Sequence, residues 1–113
     1  MFGFDEPEVP HVSVETLKKA IDAHEDMVIL DVRTEGEYSR GKIAGSINIS
    51  VDRVACDVPT AIPEKTKRIY VYCLSGSRSV HAVDVMRKLG YTNVYDVEHG
   101  LMAWRVFKYP VEM

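Results

Sequence analysis

Short apolar runs alternate with amphipathic segments along the whole chain. Residues 27–32, 68–72 and 94–97 are rich in β-branched and other apolar side chains, which predicts three strands, and the first run suits a strand buried on both faces. Apolar residues recur at helical spacing over residues 14–24 and 79–89. Strands that alternate with helices predict a three-layer α/β/α sandwich around a mainly parallel central sheet.

Capping residues predict shorter elements between these. Thr34 with Glu37 three residues later forms a capping box, and Gly41 should end the helix that it starts. Ser50 should cap a brief helix over residues 51–56. The remaining predicted features are a helix cap at Ser13, a turn and short strand within residues 43–49, a connection marked by Pro59 and Pro63, a helix stop at Gly90 and a last helix over residues 100–107.

The size and charge of the chain restrict its class. With 113 residues, 46% of them hydrophobic, we expect a single folded domain over residues 11–113 and an N-terminal tail over residues 1–10. A net charge of -3, from 14 basic and 17 acidic residues mixed along the chain, provides no basic stripe for nucleic acid. The sequence has neither a signal-peptide pattern nor an apolar run of membrane-spanning length. We therefore expect a cytoplasmic monomer or weak dimer that binds neither nucleic acid nor a membrane.

The two cysteines are expected to be reduced thiols that are not part of a disulfide framework. No CxxC or HxxxH pair indicates a metal site, so we expect neither a metal nor a cofactor. Cys56 lies in a short amphipathic segment without a glycine loop, which predicts an inert small hydrophobe of the commonly buried kind.

Cys73 has a different setting, because it follows the predicted strand over residues 68–72 and precedes a helix. A loop between a strand end and a helix N-terminus turns several backbone N–H groups toward one point, where the helix dipole also favours negative charge. A cysteine held there is expected to be a thiolate, and hence a nucleophile. Ligands of parallel α/β sheets bind at the carboxyl ends of the strands, which is where Cys73 lies.

Several separated motifs resemble those of the single-domain rhodanese-like sulfurtransferases over nearly the whole chain. The amino-terminal motif is similar to Asp31-Val32-Arg33, Glu37-Tyr38 and Gly41-Lys42-Ile43-Ala44-Gly45-Ser46-Ile47-Asn48. Residues 73–79 are similar to the family's loop C-x-x-G-x-R-S, and Glu98-His99-Gly100-Leu101 with Trp104 resembles its closing G-G-x-x-x-W segment. The chain departs from the family pattern at Lys42, which replaces a histidine, and at His99, which replaces the first closing glycine.

The resemblance implies a rhodanese-type sulfurtransferase of the thiosulfate:cyanide kind. The Cys73 thiolate would take sulfane sulfur from a donor such as thiosulfate, hold it as a persulfide, and pass it to a thiophilic acceptor. That acceptor would be cyanide in an assay and a protein or small thiol in a cell. The predicted substrate-binding residues are Leu74, Ser75, Gly76, Ser77, Arg78 and Ser79.

Individual roles follow from the side chains of this loop. Ser75 and Ser77 can donate hydrogen bonds to the terminal sulfur or to the donor's oxyanion. Gly76 permits close backbone approach, and Leu74 is expected to form a pocket wall. Arg78 has two open roles, because its guanidinium could bind the anion or tie the loop to neighbouring carboxylates.

Asp31 and Arg33 are predicted to support the site. Asp31 lies at the carboxyl end of a predicted strand and could orient loop groups. The alternative, which we favour, is that Asp31, Arg33 and Glu37 form a structural polar cluster.

Two alternative functions are considered for this cysteine loop and this fold, an oxyanion-processing enzyme and a non-catalytic binding module. Cysteine-dependent phosphatases and arsenate reductases have a C-x5-R loop of seven residues, whereas Cys73 to Arg78 is a six-residue loop that suits sulfur better than a tetrahedral oxyanion. A non-catalytic protein-binding module with this fold is the other alternative, although such modules often lack the cysteine that this chain retains.

Overall fold

The computed structural model describes residues 6–113. Of the predicted N-terminal tail, residues 1–5 lie outside the described residues, and residues 6–10 have no regular secondary structure. Residues 6–10 lead directly into the sheet, since the carbonyl of Pro10 accepts a hydrogen bond of 2.9 Å from the Asp96 N–H.

Within residues 6–113, five parallel strands form one sheet in the order β1-β5-β4-β2-β3. The strands are β1 (His11–Val12), β2 (Val28–Asp31), β3 (Ile47–Asn48), β4 (Ile69–Tyr72) and β5 (Val94–Val97). Every residue of β4 is buried, because β4 has a neighbour on both sides and helices over both faces. The carboxyl ends of β2, β4 and β5 therefore meet at one edge.

In the described part of the chain, five α-helices cover the sheet and give the predicted α/β/α sandwich. They are α1 (Val14–Asp22), α2 (Glu35–Ser39), α3 (Val54–Ala61), α4 (Ser77–Lys88) and α5 (Gly100–Val106). One core lies under α3 and α4 and includes Val54, Val58, Val83 and Met86, while the opposite core lies under α1 and α5 and includes Leu17, Leu101 and Trp104. Each such side chain stabilises the fold by roughly 1.5–3 kcal/mol on burial. Among residues 6–113, no helix has the length and apolar character needed to cross a membrane.

Two predicted helix boundaries need correction, the end of α1 and the start of α3. The first helix ends at Asp22, two residues early, because His24 takes a left-handed φ of 54°. The Ser50 side chain makes no capping hydrogen bond; its hydroxyl donates to Asp52 Oδ1 instead. A 3₁₀ turn over Val51–Arg53 precedes α3.

Pro59 lies inside α3, although the sequence placed it in a connection. A proline inside a helix removes one backbone hydrogen bond, and its ring clashes with the carbonyl four residues earlier, at a cost of about 3 kcal/mol that tertiary packing has to offset. The fully buried Val58 holds this helix against the core, and its carbonyl accepts a 2.7 Å hydrogen bond from the N–H of Ile62. The helix therefore continues past the proline to Ala61.

Candidate active site

Cys73 follows the last residue of β4, and its side chain is almost completely buried. The backbone N–H of Gly76 donates a hydrogen bond of 3.0 Å to the Cys73 Sγ. Gly76 has a φ of 123°, a conformation that favours glycine, and it is the N-cap of α4. The helix therefore begins at Ser77, two residues before the predicted start, and its N-terminus lies closer to the sulfur than expected.

Two backbone carbonyls at the start of the loop, those of Cys73 and Leu74, accept hydrogen bonds from α5. The N–H of Leu101 donates to the Cys73 carbonyl at 2.9 Å, and the N–H of Met102 donates to the Leu74 carbonyl at 3.0 Å. A Cβ at Gly100 would lie 2.2 Å from the Cys73 carbonyl oxygen, so no other residue fits there. This close approach fixes the loop carbonyls against the first turn of α5.

Ser79 connects the sulfur to a buried carboxylate that the sequence analysis missed. The thiol of Cys73 donates to Ser79 Oγ at 3.4 Å, and Ser79 also hydrogen-bonds with Asp96 Oδ1 and with the Gly76 carbonyl, the latter at 3.0 Å. Burial raises the pKa of Asp96, and the Ser79 hydrogen bond opposes that rise. The only signal in the sequence was one acidic residue inside the otherwise apolar strand β5.

Arg78 forms an ion pair with Glu37 of α2. The guanidinium donates to both carboxylate oxygens, at 2.7 and 3.1 Å. The hydrogen bond from Arg78, with further contributions from Thr34, lowers the pKa of Glu37 to about 2. Of the two roles left open for Arg78, the structure shows the tie to a neighbouring carboxylate.

Asp31 and Arg33 form a separate buried ion pair at the end of β2, with 2.7 Å between Arg33 Nη2 and Asp31 Oδ2. Arg33 Nη2 also donates to the Gly41 carbonyl at 2.7 Å, and the Asn48 side chain donates to the Arg33 carbonyl at 2.9 Å. Among residues 6–113, neither side chain hydrogen-bonds to residues 73–79. The pair links the end of β2 to the segments that carry Gly41 and Asn48, while Glu37 binds Arg78 instead.

A positively charged cleft of about 280 Å³ lies beside the loop, and we call it the arginine cleft. It is lined by Arg33, Glu37, Arg40, Leu74, Leu101 and Arg105. Within residues 6–113, Arg40 and Arg105 form no salt bridge, so their charges remain available to an anion. Leu74 forms a wall of this cleft and is 39% exposed.

The opposite side of the loop opens into a wider cavity of about 670 Å³. Ser75, Gly76 and Ser77 line it from the loop. Glu6, Glu8, Asp96 and Glu98 give this cavity an acidic character that the arginine cleft lacks. The loop thus separates a basic from an acidic surface.

The prediction of a buried Cys56 is wrong, because Cys56 is exposed and Cys73 is the buried cysteine. Cys56 lies on the solvent side of α3. The face of this short helix that is buried depends on how the helix is oriented by the 3₁₀ turn that precedes it. The exposed thiol provides an internal control for labelling Cys73.

Comparison with known proteins identifies relatives for most of the chain. The rhodanese-like domain family matches residues 13–106. The Bacillus subtilis "Putative sulfur carrier protein YrkF" is 33% identical over 96 residues, which are 85% of this chain and 51% of that protein. This chain therefore spans about half the length of YrkF. A sulfurtransferase of Allochromatium vinosum is 27% identical over 103 residues, covering 91% of this chain and 94% of that protein.

Solved structures share the same architecture. The crystal structure of a rhodanese-related protein from Thermoplasma volcanium superimposes with a TM-score of 0.80 at 34% sequence identity. The match covers 92% of this chain and 98% of that chain.

Proposed function

The chain belongs to the rhodanese-like domain family, and from this premise we propose that it transfers sulfane sulfur through a persulfide on Cys73. Relatives named as sulfurtransferases support sulfur transfer in general. The observation that carries the finer proposal is the Cys73 Sγ at the end of β4, which accepts a hydrogen bond from the Gly76 N–H at 3.0 Å. A donor fixed at that distance stabilises an anion on sulfur without reorganisation during the reaction.

The proposed reaction has two displacements. In the first, the Cys73 thiolate attacks the sulfane sulfur of a donor such as thiosulfate; the new S–S bond forms as the donor's S–S bond breaks and sulfite leaves with the electron pair. In the second, an acceptor thiolate or cyanide attacks the outer sulfur, and Cys73 leaves as a thiolate. The Gly76 N–H and the N-terminus of α4 stabilise the anionic sulfur at both stages.

The arginine cleft supports an anionic donor. Arg78 is paired with Glu37, so the loop itself provides no unpaired guanidinium, whereas Arg40 and Arg105 lie in the cleft next to Leu74. Both arginines are solvent-exposed, and exposed charges attract anions weakly because water screens them. We therefore expect a high KM for thiosulfate.

Substitution of the cleft arginines tests this assignment. Arg40→Gln and Arg105→Gln should each raise the KM for thiosulfate about two- to fivefold with a smaller change in kcat, since each removes an interaction worth roughly 0.5–1 kcal/mol. Arg87→Gln on α4, which lies outside the cleft, is the charge-matched control and should leave KM unchanged. If all three variants had the KM of the wild type, a role for the cleft would be contradicted.

The first experiment is intact mass spectrometry after incubation with thiosulfate. The wild type and Cys56→Ser should gain about 32 Da, the mass of one persulfide sulfur, and Cys73→Ser should not. Cyanide or dithiothreitol should then remove the added mass. No gain with thiosulfate or another sulfane donor would favour the non-catalytic binding module, and a gain that requires Cys56 would refute the choice of thiol.

A phosphatase or arsenate reductase function has less support. The six-residue loop has room for fewer inward-facing groups, and its arginine is engaged by Glu37. Phosphatase turnover that disappears in Cys73→Ser would nevertheless refute this conclusion directly.

A further inference from the structure

Asp96 is a buried carboxylate that the proposed sulfur transfer does not use. It lies on β5, paired in register with Val71 of the adjacent strand β4 and therefore two residues from the level of Cys73. Asp96 is 4% exposed, Ser79 is fully buried and Cys73 is 1% exposed. The three side chains form a continuous hydrogen-bonded chain from Oδ1 through the Ser79 hydroxyl to the sulfur.

The environment of Asp96 contains no cation in direct contact. Among residues 6–113 the carboxylate forms no salt bridge, and its side-chain hydrogen bond is to Ser79. A buried carboxylate without a paired charge binds a proton more readily than an exposed one. Burial accordingly raises the pKa of Asp96; His11 on β1 opposes the rise, and Glu98 and Glu6 add to it.

The Ser79 hydroxyl can support two arrangements of protons, because it has one hydrogen to donate and two lone pairs to accept. With Asp96 ionised, Ser79 donates to Asp96 and accepts from the Cys73 thiol. With Asp96 protonated, the carboxylic acid donates to Ser79, and the hydroxyl can donate to a sulfur anion in place of the Gly76 carbonyl, which lies 3.0 Å away. The 3.4 Å separation of Sγ and Oγ permits either direction.

We propose that Asp96 is a positioning residue that accepts the proton of the Cys73 thiol through the Ser79 hydroxyl. The thiol proton moves from Sγ to Ser79 Oγ while the original hydroxyl proton moves from Oγ to Asp96 Oδ1. The products are a Cys73 thiolate, a neutral Asp96 and an unchanged Ser79; the negative charge moves from oxygen to sulfur, and no bond between heavy atoms changes. The Gly76 N–H donates to the sulfur, and the positive charge of Arg78, although paired with Glu37, also attracts a negative charge on Cys73; both favour this transfer.

This inference deepens the proposed function, because it states how the attacking thiolate arises. It is nevertheless testable without any sulfur donor. A proton shared between two groups makes them titrate in two macroscopic steps that belong to the pair. The ionisation of Cys73 should therefore be visible in two steps, and only if both Asp96 and Ser79 are present.

The test is the rate of alkylation of Cys73 by iodoacetamide as a function of pH, in a Cys56→Ser background. The parent protein should show two rises in rate separated by a shoulder. Asp96→Asn should show one rise, because the amide cannot take the proton. Ser79→Ala should also show one rise, and its rate at neutral pH should fall about tenfold, since the thiolate loses one hydrogen-bond donor.

The control variant is Glu98→Gln, which removes a neighbouring negative charge without altering the hydrogen-bonded chain. It should keep both rises. A two-step profile in Asp96→Asn would overturn the proposal, as would a single-step profile in the parent. Two steps in Ser79→Ala, with one in Asp96→Asn, would also overturn it, because the coupling would then act through space and not through the hydroxyl.

A second measurement does not depend on the Ser79 or Asp96 variants remaining folded. The ¹³Cγ resonance of Asp96 should show two inflections in its pH titration, and the second should be lost in Cys73→Ser, which leaves only the inflection of the carboxyl group itself. An inflection caused by His11 would remain in that variant. Identical Asp96 titrations in the two proteins would overturn the relay, whereas failure of persulfide formation with both of these signatures intact would overturn only the proposed sulfur transfer.

Discussion

Glu37→Gln tests whether the ion pair with Arg78 anchors the start of α4, and with it the loop that carries Cys73. Glutamine retains the shape of the side chain and an oxygen that can accept from the Thr34 N–H, which Glu37 Oε1 binds at 2.9 Å. The substitution therefore removes the charge while preserving the cap of α2. Its main effect should be on the two hydrogen bonds that Arg78 donates.

The magnitude follows from the pKa of Glu37, which falls from 4.5 to about 2 in the folded protein. A pKa that is lower by this amount in the folded state corresponds to at most about 3.4 kcal/mol of stability. The side chains of Arg78 and Glu37 are 33% and 25% exposed, and screening by solvent reduces the expected contribution to about 1–2 kcal/mol. Glu37→Gln should lower the free energy of unfolding at neutral pH by that amount.

The pH dependence provides the sharper test. Because the folded-state pKa of Glu37 lies below the unfolded value, this stability is present above pH 4.5 and is lost as the pH falls toward about 2. Urea unfolding of the wild type and Glu37→Gln should therefore differ at pH 7 and converge at low pH. Glu35→Gln, an exposed neighbour in the first turn of α2, should cost less than about 1 kcal/mol. A difference between wild type and Glu37→Gln that is constant with pH would refute the reasoning.

Three further substitutions have definite expected outcomes. Tyr72→Phe should cost about 1–3 kcal/mol in urea unfolding, because the buried N–H of Ile43 loses its 3.0 Å acceptor; an unchanged midpoint would contradict this. Gly100→Ala should cost at least about 2 kcal/mol and slow alkylation of Cys73, since the new Cβ overlaps the Cys73 carbonyl. Asp96→Asn should gain stability relative to the wild type as the pH rises from 4 to 7, because burial raises the pKa of Asp96 and the folded wild type loses stability as that group ionises.

The sequence predicted those parts of the fold that depend on short-range patterns. The continuous apolar run before Asp31 became β2, and the capping box of Thr34 and Glu37 is present with both of its hydrogen bonds. The two-residue strand β1 was missed because two residues have no periodicity; its pairing with β5 defines it. Likewise, α3 continues past Pro59 because Val58 is buried against the core, and this tertiary contact cannot be predicted from a local sequence pattern.

The candidate site shows the same division between local and long-range information. The strand, loop and helix around Cys73 could be recognised because they are contiguous. The pairing of Arg78 with Glu37 joins residues 41 positions apart, so the sequence could state the alternatives but not choose between them. In the sequence, Asp96 is only a single acidic residue in a predicted strand. Its contact with Ser79 becomes apparent only when β5 is placed beside β4.

The closing segment shows which of its two positions requires glycine. His99 and Gly100 both have positive φ, at 62° and 48°. A left-handed conformation costs a residue with a Cβ about 1–2 kcal/mol, a cost that His99 bears with its side chain exposed to solvent. At Gly100 the obstacle is steric, because a Cβ would lie 2.2 Å from the Cys73 carbonyl oxygen.

The departure from the family pattern at His99 therefore alters the rim of the site and leaves the support of the loop unchanged. The His99 carbonyl still accepts from the N–H of Ala103 at 3.1 Å, so α5 begins where the loop carbonyls need its N–H groups. His99→Gly should remove the backbone cost and keep the alkylation rate of Cys73 within about twofold, since among residues 6–113 no hydrogen bond joins the imidazole to the loop. A rate as low as that of Gly100→Ala would show that the imidazole itself organises the loop.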